Sequence, residues 1–389
     1  MRIDRKRFPQ GFSNPLARSA GVASHPGVNL CHRSEDILLN ERFAAGAQFL
    51  KKEWPLLCAC VSPFSTAESA RQALATHFDW DLLLELAEEH SVQGILAKLL
   101  QDLQFEGVPT AVREKLQARM RAQHLFTLSM TAELFRVLDG FANAGIEAIV
   151  IKGPVTSVVA HGDPALRGFG DVDLLLRQSD IPRANRQMHA LGFEAKVSES
   201  SIEAEKIPGE YVFRRPATNR MVEIHTEKTF RYYPSGMPIE DMFRRKRLVS
   251  LEGREVPALC FADEIVFHCI HGAKDFWERL MWICDVAALV KNHPALDWQS
   301  VQLAAADCGA ARMLNVALLL AKRLLAAALP PGIADSVERD SSSHQLCAEI
   351  EAWLPFGAGA PPSLRHRALY RTQIAGGGVS VLAPAQQFC

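Results

Sequence analysis

Residues 171–176 read Asp-Val-Asp-Leu-Leu-Leu, two carboxylates one residue apart at the mouth of an apolar run. In a strand, successive side chains alternate faces, so Asp171 and Asp173 point the same way. Like charges that close repel and cost stability unless water reaches both or a cation lies between them. The segment is therefore either a solvated strand end or one side of a metal site, and its apolar half is a strand entering a core.

The hydrophobic period changes on both sides of this segment. Residues 51–140 read as a helical domain: Thr66 with Ser69 is a capping signal, and apolar residues recur about every 3.6 positions. From 141 to 232 the pattern is mixed. "IEAIVIKG", "DVDLLL" and "FEAKV" read as strands, with helices over "GPVTSVVAHG" and "SDIPRANRQMHALG" between them. "EYVFRR" and "RMVEIHTE" form a hairpin across "PATN". Helical spacing returns over 233–335, with four candidate helices between 262 and 329. Residues 1–50 read as a loosely ordered lead and 336–389 as a peripheral tail. The expected class is α+β, a small mixed sheet in an α/β core flanked by all-helical segments.

Composition excludes little. With 43 basic and 44 acidic residues the net charge is −1, which gives no strong sign of a long nucleic acid as partner. The nine cysteines include no Cys-x-x-Cys pair, and Cys58-x-Cys60 is a thin basis for a metal site, so core thiols of a cytoplasmic protein are expected. No apolar stretch follows the charged start, and the apolar run 313–329 is broken by Lys322 and Arg323, so no secretory signal and no membrane span are expected.

Other features near the two acids carry chemistry. Lys152-Gly153 lies where a strand turns into a helix, a plain turn or a place where backbone N–H groups and a lysine meet a phosphate. Glu223 sits between Val222 and Ile224, so in a strand it faces away from both. It is either an exposed strand acid or, if that strand runs beside "DVDLLL", a third carboxylate. Three carboxylates can hold two divalent cations that bridge nucleotide phosphates. His268, His271 and Asp275 share a helix face, as a polar seam towards the cleft or the heart of a metal-dependent phosphohydrolase. His225 and His271 are candidate cleft-lining residues. Arg244 to Arg247 form a row of four cations, a solvated face or a binding patch. Trp277, Trp282 and Trp298 read as core.

In "IKGP", "ALRGFGDVDLLL" and "VEIH" the chain resembles the DNA polymerase beta-like nucleotidyltransferase superfamily, and more closely a bacterial uncharacterised nucleotidyltransferase family within it, over about residues 55–330. The resemblance implies a nucleotidyltransferase core at 141–232 and transfer of a nucleoside monophosphate from a nucleoside triphosphate, such as ATP, with Mg²⁺ or Mn²⁺. Asp171, Asp173 and Glu223 would be the catalytic carboxylates and metal ligands, and Lys152, Gly153, Arg167 and Gly170 would bind the nucleotide. The acceptor stays open: small molecule, peptide or protein, or RNA. The chain departs from the pattern in three ways: Gly153 is followed by Pro154, its separation from Asp171 is longer than in polymerase-like members, and the third acid is Glu223 where the closer group usually has Asp. These departures leave open an alternative, a catalytically silent nucleotide-binding or partner-binding module on the same fold.

Overall fold

The computed structural model describes residues 52–203, 209–229, 238–359 and 364–375. The expected lead, residues 1–50, lies outside the described residues, as do residues 376–389 of the tail. Helices open the chain: α1 (Glu53–Val61), α2 (Ala67–Leu74), α3 (Trp80–Glu89), α4 (Gln93–Asp102) and the long α5 (Thr110–Asn143). Thr66 and Ser69 form the anticipated capping box at the start of α2, satisfying N–H groups that have no partner within the helix.

The sheet region follows, with β1 (Ile149–Val150), α6 (Pro154–His161), β2 (Asp171–Leu175), α7 (Ile181–Ala190), β3 (Glu194–Ala195), α8 (Glu199–Glu203), β4 (Glu210–Arg215) and β5 (Arg220–His225). It continues past residue 232 with α9 (Ile239–Arg245), β6 (Arg247–Leu251) and β7 (Arg254–Ala258). The seven strands lie in the order β3-β4-β5-β2-β1-β7-β6. The sheet is mixed: β2 runs parallel to β5 and antiparallel to β1, and β1 runs parallel to β7. The hairpin across residues 210–225 is where the sequence pattern sets it. The second hairpin, β6–β7, is an addition to that reading. Its turn, Glu252-Gly253, has positive φ at both residues, 48° and 78°, the requirement of a tight hairpin turn, without the usual Asn-Gly or Asp-Gly signal.

Helices close the fold: α10 (Phe261–Lys274), α11 (Leu280–Asn292), α12 (Trp298–Asp307), α13 (Ala311–Leu325), α14 (Pro331–Glu338), α15 (Ser341–Trp353) and α16 (Leu364–Ile374). The expectation of a peripheral tail from 336 onwards needs correction over α15 and α16. Leu346, Cys347, Ile350, Trp353, Tyr370 and Ile374 are buried in the same apolar cluster as α1 and α13. Short helices separated by Gly- and Pro-rich connectors dilute the helical period there, which is why the spacing fades while the burial does not.

Two apolar cores sandwich the sheet. On one side, α5 and α7 pack on Val172, Leu174, Leu176, Val222 and Ile224. On the other, α1, α3 and α4 join α10–α13 and receive Ile149, Ile151 and Leu175. Burying each such side chain stabilises the fold by about 1.5–3 kcal/mol, so the face assignment of β2 is strongly fixed. A one-residue slip would drive Asp171 and Asp173 into the α5–α7 core.

Candidate active site

Alternation along β2 and β5 builds the site. Val172, Leu174, Val222 and Ile224 take one face, leaving Asp171, Asp173, Glu223 and His225 on the other. The parallel register sets Asp173 beside Glu223 and Leu175 beside His225. Glu223 thus joins the two aspartates on one surface. Lys152 follows β1 and reaches across, its Nζ 2.6 Å from Asp173 Oδ1. His225 Nε2 lies 2.9 Å from that same oxygen and 3.5 Å from Glu223 Oε2. Asp173, Glu223 and His225 offer ligand atoms within 4.8 Å of one another, a set able to hold a metal ion. Asp171 is on the same face but outside that set, whereas His225 is inside it. The carboxylate side chains differ in access: Asp173 is 3% exposed and Glu223 20%.

Burial alone would raise the Asp173 carboxyl, but Lys152 and His225 beside it hold it well below the usual carboxylate range. Burial opposes the charge on Lys152, and Asp173, Asp171 and Glu223 more than offset this, raising its pKa. His225 is raised likewise, against burial, by its bonds to Asp173 and Glu223. Asp171 goes the other way. Burial and the neighbouring Asp173 charge push it up to about 6. One aspartate is thus charge-compensated and the other is not.

Gly153 ends the β1 segment with φ 68° and ψ −137°, a conformation for which glycine is suited, and Pro154 begins α6. This turn carries Lys152 to Asp173. Gly170 precedes β2 with open space around its Cα, leaving room over the mouth of the strand. Arg167 is brought near but differently: its guanidinium is buried, with Nε 2.8 Å from Asp285 Oδ2 on α11. His161 at the end of α6 takes the other Asp285 oxygen at 3.0 Å. The Arg167 backbone N–H donates to Ser157 Oγ, so the loop before β2 is tied to α6 and α11 together.

A second wall comes from α10. His271 Nδ1 is 3.3 Å from Asp275 Oδ2 and its ring meets Trp282 edge-on. His268 Nε2 lies 3.2 Å from Thr156 Oγ1. Burial lowers both histidines, His268 to about 4 and His271 well below its ordinary value. Neither is in the metal-sized group, which among the described residues is Asp173, Glu223 and His225. Lys274 pairs with Glu210 at 2.7 Å, and Glu210 stands opposite His225 in the β4–β5 ladder. Sequence reasoning missed Glu210 and Asp285. Glu210 was findable, since it alternates with buried Tyr211 and Phe213 and so shares the Glu223 face. Asp285 carries no local signal.

The row of cations at 244–247 is not a free basic surface. Arg244 pairs with Asp241, Arg245 with Asp263, Lys246 with Glu147 and Arg247 with Glu264. Cys58 and Cys60 are buried thiols pushed up to about 12, which removes thiolate character from that pair. Trp277 is fully buried, and Trp282 and Trp298 pack against the helical core.

Among the described residues, no helix is long and apolar enough to cross a membrane. No curated protein is similar in sequence to this chain. Among solved structures, an antigenic nucleotidyltransferase-like protein from Paracoccidioides brasiliensis aligns at 14% identity with a TM-score of 0.31, covering 56% of this chain and 91% of that one. So distant a likeness adds nothing to the strand order and register described above. The sequence itself matches the family described as uncharacterised nucleotidyltransferase over residues 76–326, from just before α3 to just past α13 and across the whole sheet. The chain belongs to that nucleotidyltransferase family.

Proposed function

We propose that the protein is a metal-dependent nucleotidyltransferase, moving a nucleoside monophosphate from a nucleoside triphosphate to an acceptor hydroxyl on a small molecule, a peptide or protein, or an RNA. The observation that supports this best is the register that sets Glu223 beside Asp173, with Asp171 on the same face and a lysine–glycine turn alongside. The carboxylate oxygens of Asp171, Asp173 and Glu223 are hard donors of the kind that suits Mg²⁺ or Mn²⁺, with His225 bonded to Asp173 beside them. Held by these residues, a divalent cation would polarise the phosphate and make the attacking hydroxyl easier to deprotonate.

The chain's own residues do the rest. Asp173 and Glu223, with Asp171 on the same face, would hold the cation, and Lys152 and the Gly153 turn would meet the phosphates where Gly170 leaves space. Arg167 positions the loop before β2 through Asp285 and adds positive charge behind it. Glu223, a fifth exposed at its side chain, completes the metal set or takes the acceptor's proton. The acceptor oxygen bonds to the α-phosphorus, the bridge between α- and β-phosphates breaks, and pyrophosphate leaves with the electron pair. Free thiols at the described cysteines suit a reducing compartment such as the cytoplasm.

A second reading, a silent nucleotide-binding or partner-binding module, draws on two features. Asp173 already has Lys152 and His225 on one oxygen, and Pro154 removes an N–H from the phosphate turn. Paired assays with triphosphates labelled at the α- or γ-phosphate, in Mg²⁺ or Mn²⁺ with cell extract as acceptor, separate the readings. Transfer of α-label that falls to background in Asp171→Asn/Asp173→Asn is the expected result. γ-Label transfer would make the protein a kinase. Nucleotide binding without transfer of either label would favour the silent module.

A further inference from the structure

We propose that Lys152 is a resident counter-ion that competes with a divalent cation for Asp173, so that the nucleotide-free protein holds metal weakly by construction. This rests on the metal chemistry of the preceding reading and concerns how the chain's own lysine governs that site. Lys152 Nζ and His225 Nε2 converge on a single oxygen, Asp173 Oδ1, at 2.6 and 2.9 Å. The lysine and aspartate side chains are only 8% and 3% exposed. A small divalent cation bound to that oxygen would lie about 2.0–2.2 Å from it, leaving two positive centres crowded on one acceptor. Water is scarce there to screen the repulsion, so the ammonium and the metal exclude one another from that oxygen.

Lys152 also has somewhere to go. It directly precedes Gly153, at the turn that opens α6, the place where the proposed function puts the phosphates. A lysine's compact charge on a flexible stem can turn from a carboxylate to a phosphate without moving the backbone. At Asp173 it shares with His225 the task of balancing a buried charge, which would otherwise destabilise the fold.

The test is Mn²⁺ binding to the full chain without nucleotide, followed by the electron paramagnetic resonance of free Mn²⁺ and, separately, by the shift in thermal unfolding on adding Mn²⁺. Lys152→Met keeps the length of the side chain and removes its charge. It is expected to bind Mn²⁺ at least about tenfold more tightly than the natural protein, within the range typical of coupled sites. Its melting temperature should be lower without metal and rise further when Mn²⁺ is added. Lys152→Arg keeps the cation and should bind as weakly as the natural protein, so the comparison holds even if the methionine variant folds poorly. Asp171→Asn/Asp173→Asn should bind no Mn²⁺, tying the signal to this site. Equal affinity in the natural protein and Lys152→Met, or weaker binding in the latter, would overturn the competition while leaving metal-dependent transfer standing. No Mn²⁺ bound by any of the proteins would overturn both.

Discussion

Two buried aspartates, Asp173 and Asp285, each hold one basic side chain and one histidine, and they are arranged in opposite ways. Asp285 gives its oxygens out separately, Oδ2 to Arg167 and Oδ1 to His161, and its side chain is wholly enclosed. Asp173 receives Lys152 and His225 on one oxygen, and Asp171 and Glu223 crowd the same face. The first centre balances its charge and joins three segments: α6, the loop before β2, and α11. The second collects more carboxylates than it needs for that purpose. A fold that only required a buried ion pair has one at Asp285, so the surplus at Asp173 calls for a different account, which the proposed cation site would supply.

The largest effect expected from breaking this contrast is at the balanced centre. Asp285→Asn leaves the buried Arg167 guanidinium without its counter-charge and should cost about 3–5 kcal/mol in urea unfolding. A loss below about 1 kcal/mol would mean that the two centres do not differ as described. Gly153→Ala comes next. Its φ of 68° with ψ −137° is a conformation alanine tolerates poorly, while the added methyl meets only ordinary contact with Asp171 O at 3.6 Å. The cost, about 1–3 kcal/mol, is therefore conformational and should appear in the same unfolding midpoint.

Asp171→Asn should move stability the other way. Asp171 titrates near 6 in the folded chain against an ordinary value of 3.8, so the folded state binds that proton more tightly than the unfolded state. The charged form is penalised above pH 6, and the penalty fades as pH falls through 6 towards the ordinary carboxylate value. The asparagine variant should gain about 1–2 kcal/mol at pH 7.5 without metal, and almost none near pH 4. Unfolding curves at the two pH values check both sign and window, and a loss of stability at pH 7.5 would remove the contrast with Asp285. The smallest effect sharpens the role of burial. Lys98 and Asp102 approach to 2.5 Å yet are about half exposed, so Lys98→Ala should change stability by about 0.5 kcal/mol or less.

What could be read from the sequence follows the range of the signals. Period-two alternation in "DVDLLL" and "VEIH" sets which face each acid takes, and the parallel register then brings the faces together. His225 was readable in the same way, two residues after Glu223, although its contact with Asp173 depends on the strand pairing. The Arg167–Asp285 pair spans 118 residues, and no local pattern encodes it. That is why an arginine expected at the phosphates turns out to be bonded to a helix behind the loop. The β6–β7 hairpin was obscured for another reason: the residues alternating with its buried Val249, Leu251, Val256 and Ala258 are Leu248, Ser250, Glu255 and Pro257, an exposed leucine and a proline among them. Arg247 and Arg254 share the parity of those buried residues, which further masks the strand period.

The interleaving of early and late helices has a consequence for how the molecule comes into being. Ser62 bonds to the Leu325 carbonyl, the His90 ring accepts from the Leu280 N–H, and Trp353 bonds to Phe276 O beneath the same layer. A chain emerging from the ribosome therefore makes its acid-bearing strands well before the helices that wall them in. The first helices must also wait for partners more than 180 residues downstream. Contacts closed over such long loops slow folding and lengthen the time in which apolar faces stay open. The face that gathers the carboxylates is thus made before α10 and α11, the helices that close over it, have followed it out of the ribosome.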